Sequence, residues 1–109
     1  MGSTTSQQKL RQLTDHDGAL VGYLVSCPAC RGFHAFYTER PNQIGARWTF
    51  DGNLESPTFN PSMLVAISET PGYPAVRCHS FVRAGRIEFL PDCTHALAGQ
   101  TVDLPPVDL

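Results

Sequence analysis

The sequence has little net charge and no long apolar run. Its formal net charge is −2 over 109 residues, and its pI is near 6.0. A nearly neutral chain has no general electrostatic attraction for nucleic acid or for an acidic membrane surface. No stretch approaches the roughly 20 apolar residues that a spanning helix needs, and the first residues contain no apolar signal-peptide core. We therefore expect a cytoplasmic protein with no membrane partner.

Long helical segments are also scarce. Glycine and proline occur nine times each, and both residues interrupt helices and mark turns. The length is that of about one ordinary domain and leaves no room for two independent cores. The sequence therefore predicts a small β-rich (α+β) single domain, built of antiparallel hairpins with a short helix.

The character of the chain changes near residue 18. Residues 1–18 are mostly polar, and Leu10 and Leu13 are their only apolar pair at helical spacing. This composition predicts a flexible polar N-terminal arm. The β-rich domain is then expected to span residues 19–109.

Two hairpins and one short helix are predicted within this domain. The apolar run at residues 20–25 predicts a strand that leads into Cys27-Pro28-Ala29-Cys30, the tip of the first hairpin. Residues 76–90 predict a second hairpin around Ala84-Gly85, with Gly85 in the left-handed position of a three-residue connection. Residues 95–99 predict the helix, with an Asp or Thr cap before it and a glycine at its end.

The four cysteines carry the clearest chemical signal. Reducing cytosol disfavours structural disulfides, so paired thiols there more often bind metal. Cys27 and Cys30 have the spacing of a zinc knuckle. The second predicted hairpin would bring Cys78 and Cys93 back to the same end of the sheet. We predict a structural Zn2+ ion bound by Cys27, Cys30, Cys78 and Cys93, and a domain organised around it.

Three histidines are alternate ligands, namely His34, His79 and His95. Cys78 and His79 are adjacent on a predicted strand and point to opposite faces, so they cannot easily reach one ion. Cys93 and His95 could do so. A redox-active CxxC would need a helix after the first cysteine, and Arg31-Gly32-Phe33 does not begin one. Without a metal ion, the four cysteines would be free thiols or would form disulfides.

Familiar signatures of metal-dependent catalysis are missing. The sequence contains no HExxH pattern, and the motif of zinc-dependent nucleobase deaminases is incomplete. If the protein is an enzyme, His79, Asp92 and His95 are the candidates for acid, base and orienting carboxylate in a hydrolase or nuclease. The simpler interpretation is that Asp92 caps the short helix and His95 packs in its first turn. We therefore assign no catalytic residue at this point.

Arginines form one further candidate surface. Arg77, Arg83 and Arg86 lie in the second predicted hairpin, where Phe81 or Phe89 could stack with bases. Such a set could contact nucleic acid or an acidic protein. More commonly, arginines of this kind form a solvated face.

Several segments together resemble a family of small phage and prophage proteins of unknown function. The segments are Cys27-Pro28-Ala29-Cys30 with His34, Trp48-Thr49-Phe50 with Gly52, Pro57-Thr58-Phe59 with Pro61-Ser62, Cys78 to Leu90, Asp92 to Val102, and Leu104-Pro105. The resemblance covers about residues 24 to 105. Members of that family are often labelled ammonia monooxygenases, but this chain has neither membrane spans nor a recognisable copper site.

The resemblance implies a phage accessory protein that acts inside an infected bacterium. Its expected function is to bind a host protein, as an inhibitor or a modulator, with zinc stabilising the fold. The alternatives are a metal-dependent hydrolase or nuclease that uses His79, Asp92 and His95, and a nucleic-acid-binding module.

Overall fold

A computed structural model describes residues 8–107 as eight strands in two antiparallel sheets, and it contains no helix within that range. The strands are β1 (Leu10–Thr14), β2 (Leu20–Cys27), β3 (Gly32–Tyr37), β4 (Thr49–Phe50), β5 (Phe59–Ile67), β6 (Val76–Arg83), β7 (Arg86–Phe89) and β8 (Thr101–Asp103). The expected β-rich architecture of antiparallel hairpins is therefore confirmed, and the fold class is all-β. None of the described residues forms a helix that could span a membrane.

The predicted short helix at residues 95–99 is wrong. This segment forms turns, with Ala98 N donating to His95 O at 3.3 Å and Gln100 N donating to Leu97 O at 3.0 Å. Its end is also tied to β7, because Gly99 N donates to Phe89 O at 3.0 Å. Backbone groups that bond to a strand are no longer available to extend a helix.

The first sheet has the order β1-β2-β3. β2 and β3 form the predicted hairpin, in which Cys27 pairs with Gly32 and the CxxC segment lies at the tip. β1 lies within residues 1–18, the segment expected to be an arm, and Leu10 at its start is only 3% exposed. Residues 10–14 form a strand because they pair with β2 and bury Leu10. Residues 1–7 of the predicted arm lie outside the described residues.

The second sheet has the order β4-β5-β6-β7-β8. β6 and β7 form the predicted hairpin, but its connection has two residues rather than three, since Arg83 pairs with Arg86. Ala84 and Gly85 both have positive φ, 50° and 77°, as a type I′ turn requires. Tertiary hydrogen bonds hold the unfavourable alanine there: Ala84 N donates to Thr58 Oγ1 at 2.8 Å, and Gly85 N donates to the Pro57 carbonyl at 3.0 Å.

Aromatic side chains join the two sheets. Phe59 of β5 is fully buried and stacks on Phe36 of β3 with a centroid distance of 4.4 Å. Phe50 stacks on Phe59 at 4.9 Å, and Trp48 meets Phe36 edge-on at 5.4 Å. This cluster fixes the position of β5, and the remaining residues of that strand carry part of the site described next.

Candidate active site and metal-binding cluster

Three side chains on the outer face of the second sheet form a continuous hydrogen-bonded chain. Ser62 Oγ lies 3.1 Å from His79 Nε2, and His79 Nδ1 lies 3.2 Å from Asp92 Oδ2. The order of atoms and the two distances are those of a Ser-His-Asp catalytic triad. The residues come from β5, from β6 and from the loop after β7, so the chain of side chains runs across the strands.

An irregularity in β5 sets the position of Ser62. Phe59 pairs with Val82 and Met63 pairs with Ser80, so three residues of β5 face one residue of β6. Such bulges bend a strand and redirect its side chains, and they are common next to active sites. Trp48 Nε1 donates to the Ser62 carbonyl at 3.2 Å and fixes the backbone there. The side chain of Ser62 is consequently held beside His79.

Strand alternation sets the position of His79. Cys78 and Ser80 are buried on the inner face of β6, and His79 between them points outward. Its cross-strand partner on β5 is Leu64. Because side chains two residues apart share a face, Ser62 lies diagonally opposite His79 and within hydrogen-bonding reach.

The loop after β7 brings Asp92 to His79. Leu90 N donates to His79 O at 2.9 Å, which continues the pairing of the hairpin past the end of β7. The Cys93 thiol then bridges the backbone of His79, accepting from its N–H and donating to its carbonyl, both at 3.2 Å. Thr94 N donates to Arg77 O at 2.9 Å. Asp92 lies between these attachments and is held alongside β6.

Asp92 is an ionised hydrogen-bond acceptor. Desolvation acts to raise its pKa, but hydrogen bonds with His79 and Arg77 outweigh this effect and hold the pKa below its usual value. The same oxygen, Oδ2, lies 3.2 Å from both His79 Nδ1 and Arg77 Nη1. An ionised carboxylate at Nδ1 favours the tautomer with the proton on that nitrogen, leaving His79 Nε2 free to accept the Ser62 hydroxyl proton.

A second set of reactive side chains lies on the inner side of β6, and three of its four members are buried whereas Cys30 is exposed. The sulfur atoms of Cys27, Cys30 and Cys78 and a ring nitrogen of His34 all lie within 4.8 Å of one another. Tetrahedral zinc with bonds of about 2.0–2.3 Å holds its ligand atoms roughly 3.5–4 Å apart, so small side-chain movements would close this cluster around an ion. Cys30 N also donates to Cys27 Sγ at 3.3 Å. These four residues could bind a metal ion such as zinc.

The electrostatics of this cluster favour a bound cation. Burial alone would raise the pKa of the Cys27 thiol, but hydrogen bonds from His34 and the Cys30 amide lower it to about 7. Burial, with the neighbouring Cys30 and Cys27, raises the pKa of Cys78, and burial also raises the pKa of Cys30. Several thiols so close together cannot all ionise without a nearby positive charge, which a divalent metal ion supplies.

Comparison with known proteins gives the family of this chain. A family model described as bacterial ubiquitination-like system serine protease (BubE) matches residues 3–90. The chain belongs to the BubE family. No curated protein and no solved structure matches it. The matched region of the BubE family includes Ser62 and His79 and ends two residues before Asp92. The assignment of Asp92 to the hydrogen-bonded chain therefore rests on the geometry alone.

Membership of the BubE family corrects two expectations from the sequence. The resemblance to phage proteins of unknown function, and with it the phage accessory protein that binds a host protein, is wrong. The description of the family is a serine protease, which is closer to the hydrolase alternative. That alternative invoked a metal ion and His95, whereas the hydrogen-bonded chain joins His79 and Asp92 to Ser62.

His95 and Cys93 lie outside the group formed by Cys27, Cys30, His34 and Cys78. The His95 ring meets the buried ring of Phe89 edge-on at 4.6 Å, so it faces away from outward-pointing His79. Cys93 and His95 form a second cluster with Cys78 rather than joining Cys27 and Cys30 in one compact group. The second cluster shares Cys78 with the first, and its Cys93 thiol already bridges the backbone of His79.

The three arginines proposed as a nucleic-acid surface in this BubE-family chain each contact a carboxylate. The pairs are Arg77 with Asp92 at 3.2 Å, Arg83 with Glu88 at 2.8 Å and Arg86 with Asp103 at 3.2 Å. Arg83 also lies 4.0 Å above the Phe81 ring. Paired arginines give a weaker positive field than free ones, and binding of nucleic acid stays an untested prediction.

Sequence reasoning gave Ser62 no functional role. The residue follows Pro61 in a segment without any glycine-rich nucleophile motif, so no local pattern distinguishes it from other serines. The only usable signal is indirect, because a serine and a histidine on paired strands with matching faces can meet. Recognising that requires the register of β5 against β6, which the bulge at residues 60–62 shifts.

Proposed function

We propose that this protein is a serine protease in which Ser62 is the nucleophile, His79 the general base and Asp92 the orienting carboxylate. The observation that carries this proposal is the continuous chain Ser62 Oγ, His79 Nε2, His79 Nδ1 and Asp92 Oδ2, with separations of 3.1 and 3.2 Å. The BubE family description supports the reaction class. The corresponding partner is a polypeptide of a ubiquitination-like system.

Acylation follows from the positions of these atoms. The Ser62 oxygen attacks the scissile carbonyl carbon while His79 Nε2 takes the hydroxyl proton, and Asp92 stabilises the imidazolium that forms. His79 then gives this proton to the leaving amine as the C–N bond breaks. The products of this half-reaction are an ester between the substrate acyl group and Ser62, and a free amine.

Deacylation returns the enzyme to its starting state. Water attacks the ester carbonyl, and His79 Nε2 takes a proton from the water as the new C–O bond forms. The proton then passes to Ser62 Oγ when the ester bond breaks. Together, acylation and deacylation hydrolyse one amide bond with one water molecule.

Covalent labelling tests the nucleophile directly. A fluorophosphonate probe should phosphonylate Ser62 Oγ with loss of fluoride, because His79 removes the hydroxyl proton during attack. We expect mass spectrometry of the digested protein to find the adduct on Ser62. A Ser68→Ala control should label normally, since Ser68 is exposed at the end of β5 and outside the hydrogen-bonded chain. Labelling of the wild type at another serine, or no labelling of folded protein, would contradict the assignment.

We further propose that Cys27, Cys30, His34 and Cys78 bind one structural zinc ion. Four ligands fill a tetrahedral shell and leave no position for a catalytic water. The ion would connect the tip of the β2–β3 hairpin to β6, two segments from different sheets. It would thereby fix the strand on which His79 lies, next to Cys78.

Zinc content distinguishes His34 from Cys93 as the fourth ligand. We expect His34→Ala to lower zinc affinity strongly, because it removes a ligand from the compact group. Cys93→Ser should retain about one zinc per chain, since Cys93 lies outside that group. Elemental analysis after dialysis against a weak chelator measures both. Loss of zinc in Cys93→Ser with full retention in His34→Ala would instead support the four-cysteine site predicted from the sequence.

A further inference from the structure

One edge of the second sheet is open beside Ser62. β4 pairs with β5 only through Thr49 with Asn60 and Phe50 with Phe59. Within residues 8–107, no other strand lies on that side of β5. Ser62 O accepts from Trp48 Nε1, and the stretch from Met63 to Ile67 beyond it is a free strand edge. Free edges accept an additional strand from another chain.

Hydrogen bonds of β6 show which backbone groups face this edge. In an antiparallel sheet, successive residues direct their N–H and C=O groups to opposite sides of the strand. Arg77 and His79 direct their carbonyls toward the β7 side, where Thr94 N and Leu90 N donate to them, both at 2.9 Å. Cys78 between them must therefore face β5.

The same alternation then applies along β5. Val65 pairs with Cys78 and so bonds toward β6, which leaves Leu64 and Ala66 directed toward the open edge. Trp48 Nε1 reaches the Ser62 carbonyl at 3.2 Å from the β4 side, in agreement with this orientation. Leu64 is 49% exposed and Ala66 is also exposed, so both side chains on this part of β5 reach solvent.

His79 and Asp92 lie on the β6 side of Ser62, so a substrate can approach the Ser62 hydroxyl from the open edge. From Ser62, the chain of side chains runs through His79 to Asp92 and away from the open edge. A recess of about 270 Å³, lined in part by Ala66, Val76 and Asp92, lies on the other side of β5, toward β6. A substrate can therefore contact the edge backbone and present a carbonyl to Ser62.

We propose that the substrate binds as an extended polypeptide segment that adds a strand to the open edge of β5. Its main chain would hydrogen-bond to Leu64 and Ala66, with the scissile carbonyl beside Ser62 Oγ. The distance from Ser62 to Ala66 corresponds to about four residues of extended chain, roughly 13 Å. The occupant is therefore an unfolded tail or loop of a protein. This inference rests on the proposed serine protease activity.

The variant Ala66→Pro tests the proposal. It removes the edge N–H while leaving the β5–β6 ladder intact, because that N–H faces away from β6 and proline is tolerated on such edges. The probe substrate is the fastest-cleaved member of an internally quenched octapeptide library. We expect kcat/KM on this peptide to fall about 3- to 10-fold, the effect of losing one hydrogen bond. Ala66→Val, which keeps the N–H, is the matched control.

Hydrolysis of p-nitrophenyl acetate separates this inference from the proposed activity. The small ester needs the triad but no strand pairing, so the wild type should hydrolyse it whether or not it cleaves a library peptide. Ester hydrolysis without cleavage of any library peptide would overturn strand addition and leave the triad assignment standing. Peptide cleavage by Ala66→Pro at the wild-type rate would also overturn it. Absence of both activities and of fluorophosphonate labelling in folded protein would overturn the protease itself.

N-methylated peptides test the same binding mode with the wild-type protein. The result therefore does not depend on whether Ala66→Pro folds. Single N-methyl groups are placed at successive positions of the same peptide near the scissile bond. Strand pairing uses every second substrate N–H, so we expect kcat/KM to fall at alternate positions. A uniform response or no response to N-methylation would overturn the proposed binding mode.

Discussion

Replacing Ser62 with alanine is expected to lower kcat for peptide hydrolysis by about 10⁴-fold or more, since loss of the nucleophile removes the covalent route. The fold should be unaffected, because the side chain is half-buried and its hydroxyl bonds to His79 rather than to the core. Thermal unfolding measured beside the kinetics checks this. A Ser62→Ala protein that is folded and hydrolyses substrate near the wild-type rate would contradict the proposed mechanism.

Substitutions of His79 and Asp92 should lower kcat in a non-additive way, because these residues act together with Ser62. His79→Ala alone should cost nearly as much as Ser62→Ala, and the double variant should be little worse than either single one. Asp92→Asn should also lower kcat strongly, because an amide can hold the His79 ring in the wrong tautomer. His95→Ala serves as the control, since His95 lies against Phe89 on the inner side. Additive effects of Ser62 and His79 substitutions would argue against a triad.

Removal of the metal is the second large effect that we expect. Structural zinc commonly contributes on the order of 10 kcal/mol to folding, which is comparable to the whole stability of a small domain. Dialysis against a strong chelator should therefore unfold the protein, with loss of the near-ultraviolet circular dichroism of buried Trp48. Added zinc should restore both signal and activity. Metal-free protein that keeps its fold and full activity would contradict the structural role.

The two sites can be separated experimentally because they lie on opposite faces of β6. Ser62→Ala should keep its zinc and its unfolding temperature while losing activity. Cys78→Ser should lose zinc, stability and activity together, since Cys78 is in the cluster and precedes His79. A Cys78→Ser protein with normal zinc content would exclude Cys78 as a ligand.

Local patterns were sufficient for several parts of this fold. The CxxC segment at the tip of a hairpin follows from an apolar run that leads into Cys27 and a turn after Cys30. The hairpin that contains Cys78 follows from two short runs around Ala84-Gly85. The short helix failed because the residues after His95 form turns, and Gly99 and Gln100 at the end of the segment bond to Phe89 of β7. Tertiary hydrogen bonds outweigh weak helix propensity over so few residues.

The sequence by itself determined the β-rich class, the two hairpins and the supply of thiol and imidazole ligands, because short-range alternation and turn residues encode these features directly. It also offered His79, Asp92 and His95 as the candidates for catalysis if the protein is an enzyme. Only the tertiary structure decided that Ser62 completes the chain and that His34 joins Cys27, Cys30 and Cys78. Both depend on the register between distant strands and on the packing of two sheets. Those long-range contacts leave no local pattern in the sequence.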